Sequence, residues 1–268
     1  MFFKIIKLFF VLVVILFVAG CATTVSVRRP IGSGQEIFEG YISEDSVDQF
    51  FAKIGEKPVA KLILDSPGGD LISAMRLGKW IFDNNIIVEV KNICLSSCAN
   101  YLFTAGRKKI ISSPGIVAWH GSAEQKNFRS ISDRYQKLNQ KLAANEKISD
   151  NDAKWMSNPE LIKYYNYSIR SRPIQRAFFQ TVRVSEYITR AGQEPKSAGG
   201  LWAFSADDMK AFGVCNVDAP VNYADASYLD QVEKNTSFKI VAQELNLQVR
   251  SMLKAEIEKS SFEINLCN

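Results

Sequence analysis

The chain has 268 residues, 47% apolar and 23% charged, which is the composition of an ordinary globular protein of one domain with an appended piece. That is enough chain to bury a proper core, and it holds no internal repeat and no low-complexity segment. The net charge is +5, but the basic residues are scattered with no aromatic-interleaved stripe, which argues against a nucleic-acid partner.

Met1 to Lys7 is a basic stretch, and Leu8 to Val18 is an apolar run of signal-peptide length, too short for a spanning helix. It ends in Val18-Ala19-Gly20-Cys21, which resembles the lipobox of bacterial lipoproteins. The resemblance implies a signal peptide over 1–20, cleavage before Cys21 and diacylation of its thiol, so that the chain is anchored in a lipid membrane. Each buried methylene of such an anchor contributes roughly 0.8 kcal/mol. Ala22 stands where an aspartate would retain such a protein in the inner membrane, which implies the outer membrane, facing the periplasm. A plain cleaved signal, or an uncleaved anchor with a chance cysteine, is the alternative. Outside the cytoplasm disulfides persist, and Cys94, Cys98, Cys215 and Cys267 remain to form them. Four cysteines allow three connectivities. Cys94 and Cys98 flank a serine pair, Cys215 with Cys267 is the natural second pair, and four buried free thiols is the other reading. No metal site is expected, since the only histidine lies elsewhere and no Cys-x-x-Cys occurs.

Residues 21–33 read as a polar tether. Gln35 to Ile42 alternates as a first strand, and Ser43 to Ser46 offers N-caps for a helix carrying Val47, Phe50, Phe51 and Ile54. Val59 to Asp65 has the apolar body of a strand in a parallel sheet covered on both faces. Ser66-Pro67-Gly68-Gly69-Asp70 is a turn whose glycines permit close backbone approach. A helix from Leu71 to Asp83 and a strand from Ile86 running into Cys94 complete a βαβ unit. Short strands are expected at Lys108 to Ser112 and Ile116 to Trp119. From about 122 to 195 the chain turns polar and helical, with Pro159 and Pro173 as breaks and a loop over 191–200. Ser205 is the N-cap of a further helix closed by Gly213, and one amphipathic helix is expected over Val232 to Lys259.

The chemistry concentrates between Cys94 and His120: a serine pair, Ser96-Ser97, at a helix start, then the only histidine of the chain. A serine nucleophile needs a base that is neutral near pH 7, and His120 is the imidazole available; Lys108 and Lys109 are the other candidate bases. Asp65-Ser66-Pro67-Gly68-Gly69, the run Leu95 to Gly106, and Ala118-Trp119-His120 resemble, in order and spacing, the proteolytic subunit of Clp protease and its periplasmic relatives, of the ClpP/crotonase fold. The segment Ser205 to Val214 resembles the stretch after that family's catalytic aspartate. The resemblance covers a little under half of the mature chain.

It implies an α/β fold: a ClpP/crotonase-like spiral of βαβ units over 34–220, with an extra helical insertion at about 122–195 and a C-terminal helical extension over 221–268. It implies Ser97 as nucleophile, with Ser96 the alternative, His120 as general base, and the backbone amides of Gly69 and Cys98 as the oxyanion hole, with no cofactor. The family's aspartate falls on Leu201, and no acid lies among its near neighbours from Lys196 to Phe204. The segment after His120 is also longer than the family's ring-forming handle, so a heptameric ring is not implied, and an oligomer of another kind stays open. The function expected is a membrane-anchored serine hydrolase acting on a peptide or small ester. The alternative is a catalytically degenerate member that binds a partner as an envelope scaffold.

Overall fold

The computed structural model describes residues 34–193, 200–260, 262–265 and 267; the expected signal peptide, Cys21, the tether and most of the 191–200 loop lie outside the described residues. The first half alternates strand and helix: β1 (Gly34–Glu39), α1 (Glu44–Ile54), β2 (Val59–Ser66), α2 (Leu71–Asp83) and β3 (Ile87–Leu95). Ser43 caps α1 through a reciprocal pair of hydrogen bonds with Ser46, and Val47, Phe50 and Ile54 form its buried stripe. Asp70 caps α2 by accepting from the Ser73 amide at 2.8 Å. After β3 comes a π-helical turn, Cys98–Phe103, then β4 (Lys108–Ile111) and β5 (Ile116–Ala118).

The insertion contains α3 (Lys126–Ala143), α4 (Asp150–Met156) and α5 (Pro159–Val182), closed by a 3₁₀ turn at Glu186–Thr189. Pro159 does break the chain, at the first position of α5 behind an Asn158 cap. Pro173 does not. Ser171, Gln175, Phe178 and Phe179 are buried on either side of it, so packing against the core holds one continuous helix across the lost backbone bond. The helix ends instead at Arg183, in the left-handed conformation. Next come β6 (Leu201–Ala203), α6 (Ala206–Ala211), capped by Ser205, and β7 (Val217–Asp218).

The tail corrects the expectation of one helix over Val232 to Lys259. It is α7 (Ala226–Thr236), β8 (Ile240–Ala242) and α8 (Leu247–Lys259). Ser237 turns left-handed at φ 63°, Ile240–Ala242 pairs in parallel with Leu201–Ala203, and Asn246 caps α8. Strand pairing with β6 therefore outcompetes helix propagation across this stretch. Two disulfides form, Cys94–Cys98 and Cys215–Cys267. No helix among the described residues is long and apolar enough to cross a membrane.

The architecture is mixed α/β around a six-stranded sheet of order β1-β2-β3-β4-β7, with β5 beside β3 and every pairing parallel. Parallel strands need crossovers that cover the faces, which is why β2 and β3 carry buried runs such as Leu62–Leu64 and Val88–Val90. The register makes the site. Leu64 pairs with Val90 but Ser66 pairs with Cys94, so β3 bulges between the two pairs. Asp65 bridges the bulge to the Asn92 side chain and the Ile93 amide. Before the bulge β3 pairs with β4 through Ile87–Val90, and after it with β5 through Ile93–Leu95. Ser66, Leu95 and Ala118 thus lie at the carboxyl ends of three adjacent strands, the edge at which open parallel sheets place their binding crevices.

Candidate active site

Three loops leave that edge: Pro67–Asp70 from β2, Ser96-Ser97 from β3 and Trp119–Ser122 from β5. The first is heavily braced. The Ser66 hydroxyl donates to the Gly40 carbonyl at 2.6 Å and accepts from the Gly68 amide at 3.1 Å. Ile42 donates to Gly68 O and Asp70 donates to Ile42 O, at 2.9 and 2.8 Å. Gly69 has φ 152°, and an added Cβ would run into the Ile42 carbonyl, so only glycine fits.

Ser97 meets this turn directly. The Gly69 amide donates to Ser97 Oγ at 2.6 Å, and Ser97 Oγ is within 3.0 Å of the Gly69 carbonyl, to which it donates. Ser97 is fully buried and makes no side-chain capping bond to its own helix, so helix capping does not account for it. The Cys98 amide, at the head of the π-helical turn, has no earlier turn to bond to, and its partial positive charge adds to that of Gly69. The Cys94–Cys98 disulfide closes across the serines without consuming that amide. Ser96 sits in the left-handed region at φ 55°, an uncommon conformation for serine that turns the chain sharply from strand to helix. It is half-buried, and its hydroxyl has no partner among the described residues.

His120 is close in backbone but apart in side chain. Trp119 and Trp202 exchange backbone hydrogen bonds at 2.8 and 3.0 Å, the His120 carbonyl accepts from Gln193, and Asn100 donates to the Gly121 carbonyl at 2.7 Å. Asn100 is one turn beyond Ser97, so the loop carrying His120 docks on the helix that Ser97 opens. The imidazole itself is exposed and makes no hydrogen bond among the described residues, so the Ser97–His120 pair is not hydrogen-bonded. The antiparallel bridge of Trp119 to Trp202 also sets Leu201 level with His120. An apolar residue therefore lies opposite His120 across this bridge. Lys108 and Lys109 begin β4 at the other end of the sheet, with Lys109 Nζ bound to the carbonyls of Gly106 and Cys215, so neither reaches the serines.

Several residues that hold the site were missed by sequence reasoning. Tyr167, from α5, donates to Asp70 Oδ2 at 2.6 Å and accepts from the Leu71 amide at 3.0 Å, tying the insertion to the glycine turn. Burial pushes the Asp70 carboxyl up, but hydrogen bonds from Tyr167, Ser73 and Ile72 outweigh it and hold its pKa below the usual carboxylate value. Burial and the adjacent Asp70 carboxylate push the Tyr167 phenol well up, so it stays a neutral donor. Behind His120, Ser122 and Gln175 both bond Glu186 Oε1, and Tyr101 donates to Gln175 at 2.6 Å. Asp70 had a local signal, an acid directly before an apolar-periodic run. Tyr167 and Gln175 had none, because Asp70 and Tyr101, which they bond, lie 97 and 74 residues away; Glu186 had only its i,i+4 spacing to Arg190. Chemically, the arrangement offers a buried hydroxyl held at the Gly69 amide, with the Cys98 amide at the head of the turn that follows and an imidazole on a neighbouring loop. No known family profile matches the chain, and a search of the curated proteins finds no match.

Proposed function

We propose that the chain is a lipid-anchored serine hydrolase of the bacterial envelope, a peptidase or esterase similar to the Clp proteolytic subunit and its periplasmic relatives, with the ClpP/crotonase-like fold. The observation that carries this reading is the 2.6 Å bond from the Gly69 amide to Ser97 Oγ, beside the open Cys98 amide, at the carboxyl edge of a parallel sheet. In this resting arrangement the nucleophile occupies part of its own oxyanion hole. As substrate enters, Ser97 Oγ leaves the Gly69 amide and bonds the carbonyl carbon, and its proton passes to the His120 imidazole, which swings in from its exposed position to accept it. The carbonyl oxygen takes the vacated place between the Gly69 and Cys98 amides. Collapse expels the amine or alcohol with the proton from His120, and water, deprotonated by the same imidazole, releases the acid and restores Ser97. The two backbone donors stabilise the oxyanion; loss of one typically costs about 2.7–4 kcal/mol in serine hydrolases.

A second reading, an envelope lipoprotein that binds a partner through the same cleft, is favoured by one observation: the exposed imidazole bonds no acid among the described residues, and Leu201 lies opposite His120 across the Trp119–Trp202 bridge. Turnover separates the two. The full chain in detergent should hydrolyse short peptide thioesters or activated esters, with activity lost in both Ser97→Ala and His120→Ala. Equal turnover by wild type and both variants would remove the hydrolase reading and leave the binding one. The anchor is tested by the mass of the mature protein: Cys21 as N-terminus carrying acyl chains supports it, and an unmodified Cys21 overturns it.

A further inference from the structure

We propose that the chain carries a second binding site, for a small molecule bearing a phosphate or carboxylate group, at the end of the sheet opposite Ser97. Arg107 directly precedes β4, whose first residue Lys108 pairs with Ile87 at the start of β3, whereas Ser97 follows the end of β3 at Leu95. The two sites are thus separated by the length of β3, roughly 25 Å at the usual strand rise. The proposal does not depend on the hydrolase reading.

A cavity of about 520 Å³ opens there, between the end of the π-helical turn, the end of α5 and the tail that the Cys215–Cys267 disulfide pins in place. Its charged lining is Arg107, Lys109 and Lys210, its side-chain amides are Asn216 and Asn265, and no acidic side chain lines it among the described residues. Two features mark it as built to receive an anion. Arg107 Nε is buried with no hydrogen-bond partner, and the Arg107 side chain makes no ion pair among the described residues. Arg107 is half-buried overall and lines the cavity, so its accessible guanidinium atoms, not the buried Nε, would meet a bound oxyanion, and the planar fork of arginine matches the paired oxygens of phosphate or carboxylate. Lys109 is 5% exposed, and its ammonium is fixed in the wall by the carbonyls of Gly106 and Cys215, at 2.7 and 3.1 Å. It is therefore a fixed positive charge in the wall, whose field favours an anion in the cavity. Lys210 stands at the exposed rim, paired to Asp207 at 2.7 Å. The cavity exceeds a bare inorganic ion, leaving room for the organic part of the ligand.

The experiment titrates the full chain in detergent with inorganic phosphate and, separately, acetate, at constant ionic strength, reading heat of binding and melting temperature. Saturable binding of either probe is expected, and the stronger one identifies the head group. Arg107→Gln should weaken it by about tenfold or more, as expected for a charge-assisted bidentate contact. Should Arg107→Gln not fold, Lys210→Glu serves, since it places a carboxylate at the rim and should also abolish binding. Lys53→Glu, far off on α1 with the same change in net charge, should leave binding intact. Absence of saturable binding with both probes overturns the proposal. So does equal weakening by Lys210→Glu and Lys53→Glu, which would mean general surface charge alone.

Discussion

Replacing Gly69 by alanine strikes stability and chemistry at once, and the structure sets the size of both effects. At φ 152° a side-chain-bearing residue is strained by about 1–3 kcal/mol. The new Cβ would collide with the Ile42 carbonyl, so the turn must shift away from the segment between β1 and α1 and strain the bonds of Ile42 to Gly68 and of Asp70 to Ile42. Each such bond is worth about 0.5–1.5 kcal/mol net. A central figure of about 3 kcal/mol lowers the melting temperature by about 6–12 °C for a folded body of this length. Gly40 provides the control: it also has positive φ, 89°, but a Cβ there meets nothing within 4 Å, so Gly40→Ala should cost only backbone strain. On the proposed hydrolase reading, displacing the Gly69 amide from Ser97 also removes one of the two proposed oxyanion donors, so esterase turnover should fall by about 10²–10³. Thermal melts and steady-state kinetics on both variants are the assay. A Gly69→Ala melt within 2 °C of wild type, or no colder than that of Gly40→Ala, would refute the reasoning.

Leu201→Asp puts a carboxylate level with His120 across the Trp119–Trp202 bridge; ester turnover should rise at least about tenfold, and unchanged or lower turnover in a folded variant would refute that alignment. Tyr167→Phe removes the donor that lowers the Asp70 pKa. Because the folded Asp70 pKa is depressed, its stabilisation is present above pH 4 and is lost as pH falls through the folded value. Tyr167→Phe should therefore destabilise at pH 7 by about 1.5–3 kcal/mol, with the difference narrowing in melts below pH 4. The disulfides should differ in weight, since one closes a separation of 4 residues and the other 52. By loop entropy, serine substitution at Cys215 and Cys267 should cost about 4 kcal/mol, and at Cys94 and Cys98 about 2 kcal/mol; denaturant unfolding of the two double variants reads the order.

The first half was legible because its signals are local. Leu71–Asp83 folds over the span expected, since the glycine turn before it and Asn84-Asn85 after it fix both ends. The strands at 59–66 and 87–95 carry the apolar runs of a doubly covered sheet. Pairing of Cys94 with Cys98 and of Cys215 with Cys267 was one of three connectivities by count, and the bulged end of β3 brings the first pair together. What could not be read is long-range. Pro173 signals a break, but Phe178 and Phe179 packing on Tyr101, at 5.3 and 5.9 Å, keeps the helix whole. Leu201–Ala203 carries no strand signal of its own and becomes one by pairing with Ile240–Ala242 and bridging at Trp119. At the site, the resemblance implied that Gly69 and Ser97 meet, as they do, but not that the His120 side chain would be exposed and without a hydrogen bond among the described residues.

The central proposal is that Ser97, held at the Gly69 amide, is a nucleophile, and a fluorophosphonate tests it most directly. The full chain is incubated with the probe from pH 6 to 9, and the adduct is mapped by peptide mass spectrometry. The account predicts a single adduct on Ser97, absent in Ser97→Ala and retained in Ser96→Ala. An adduct on Ser96, or none at any pH in that range, would contradict it.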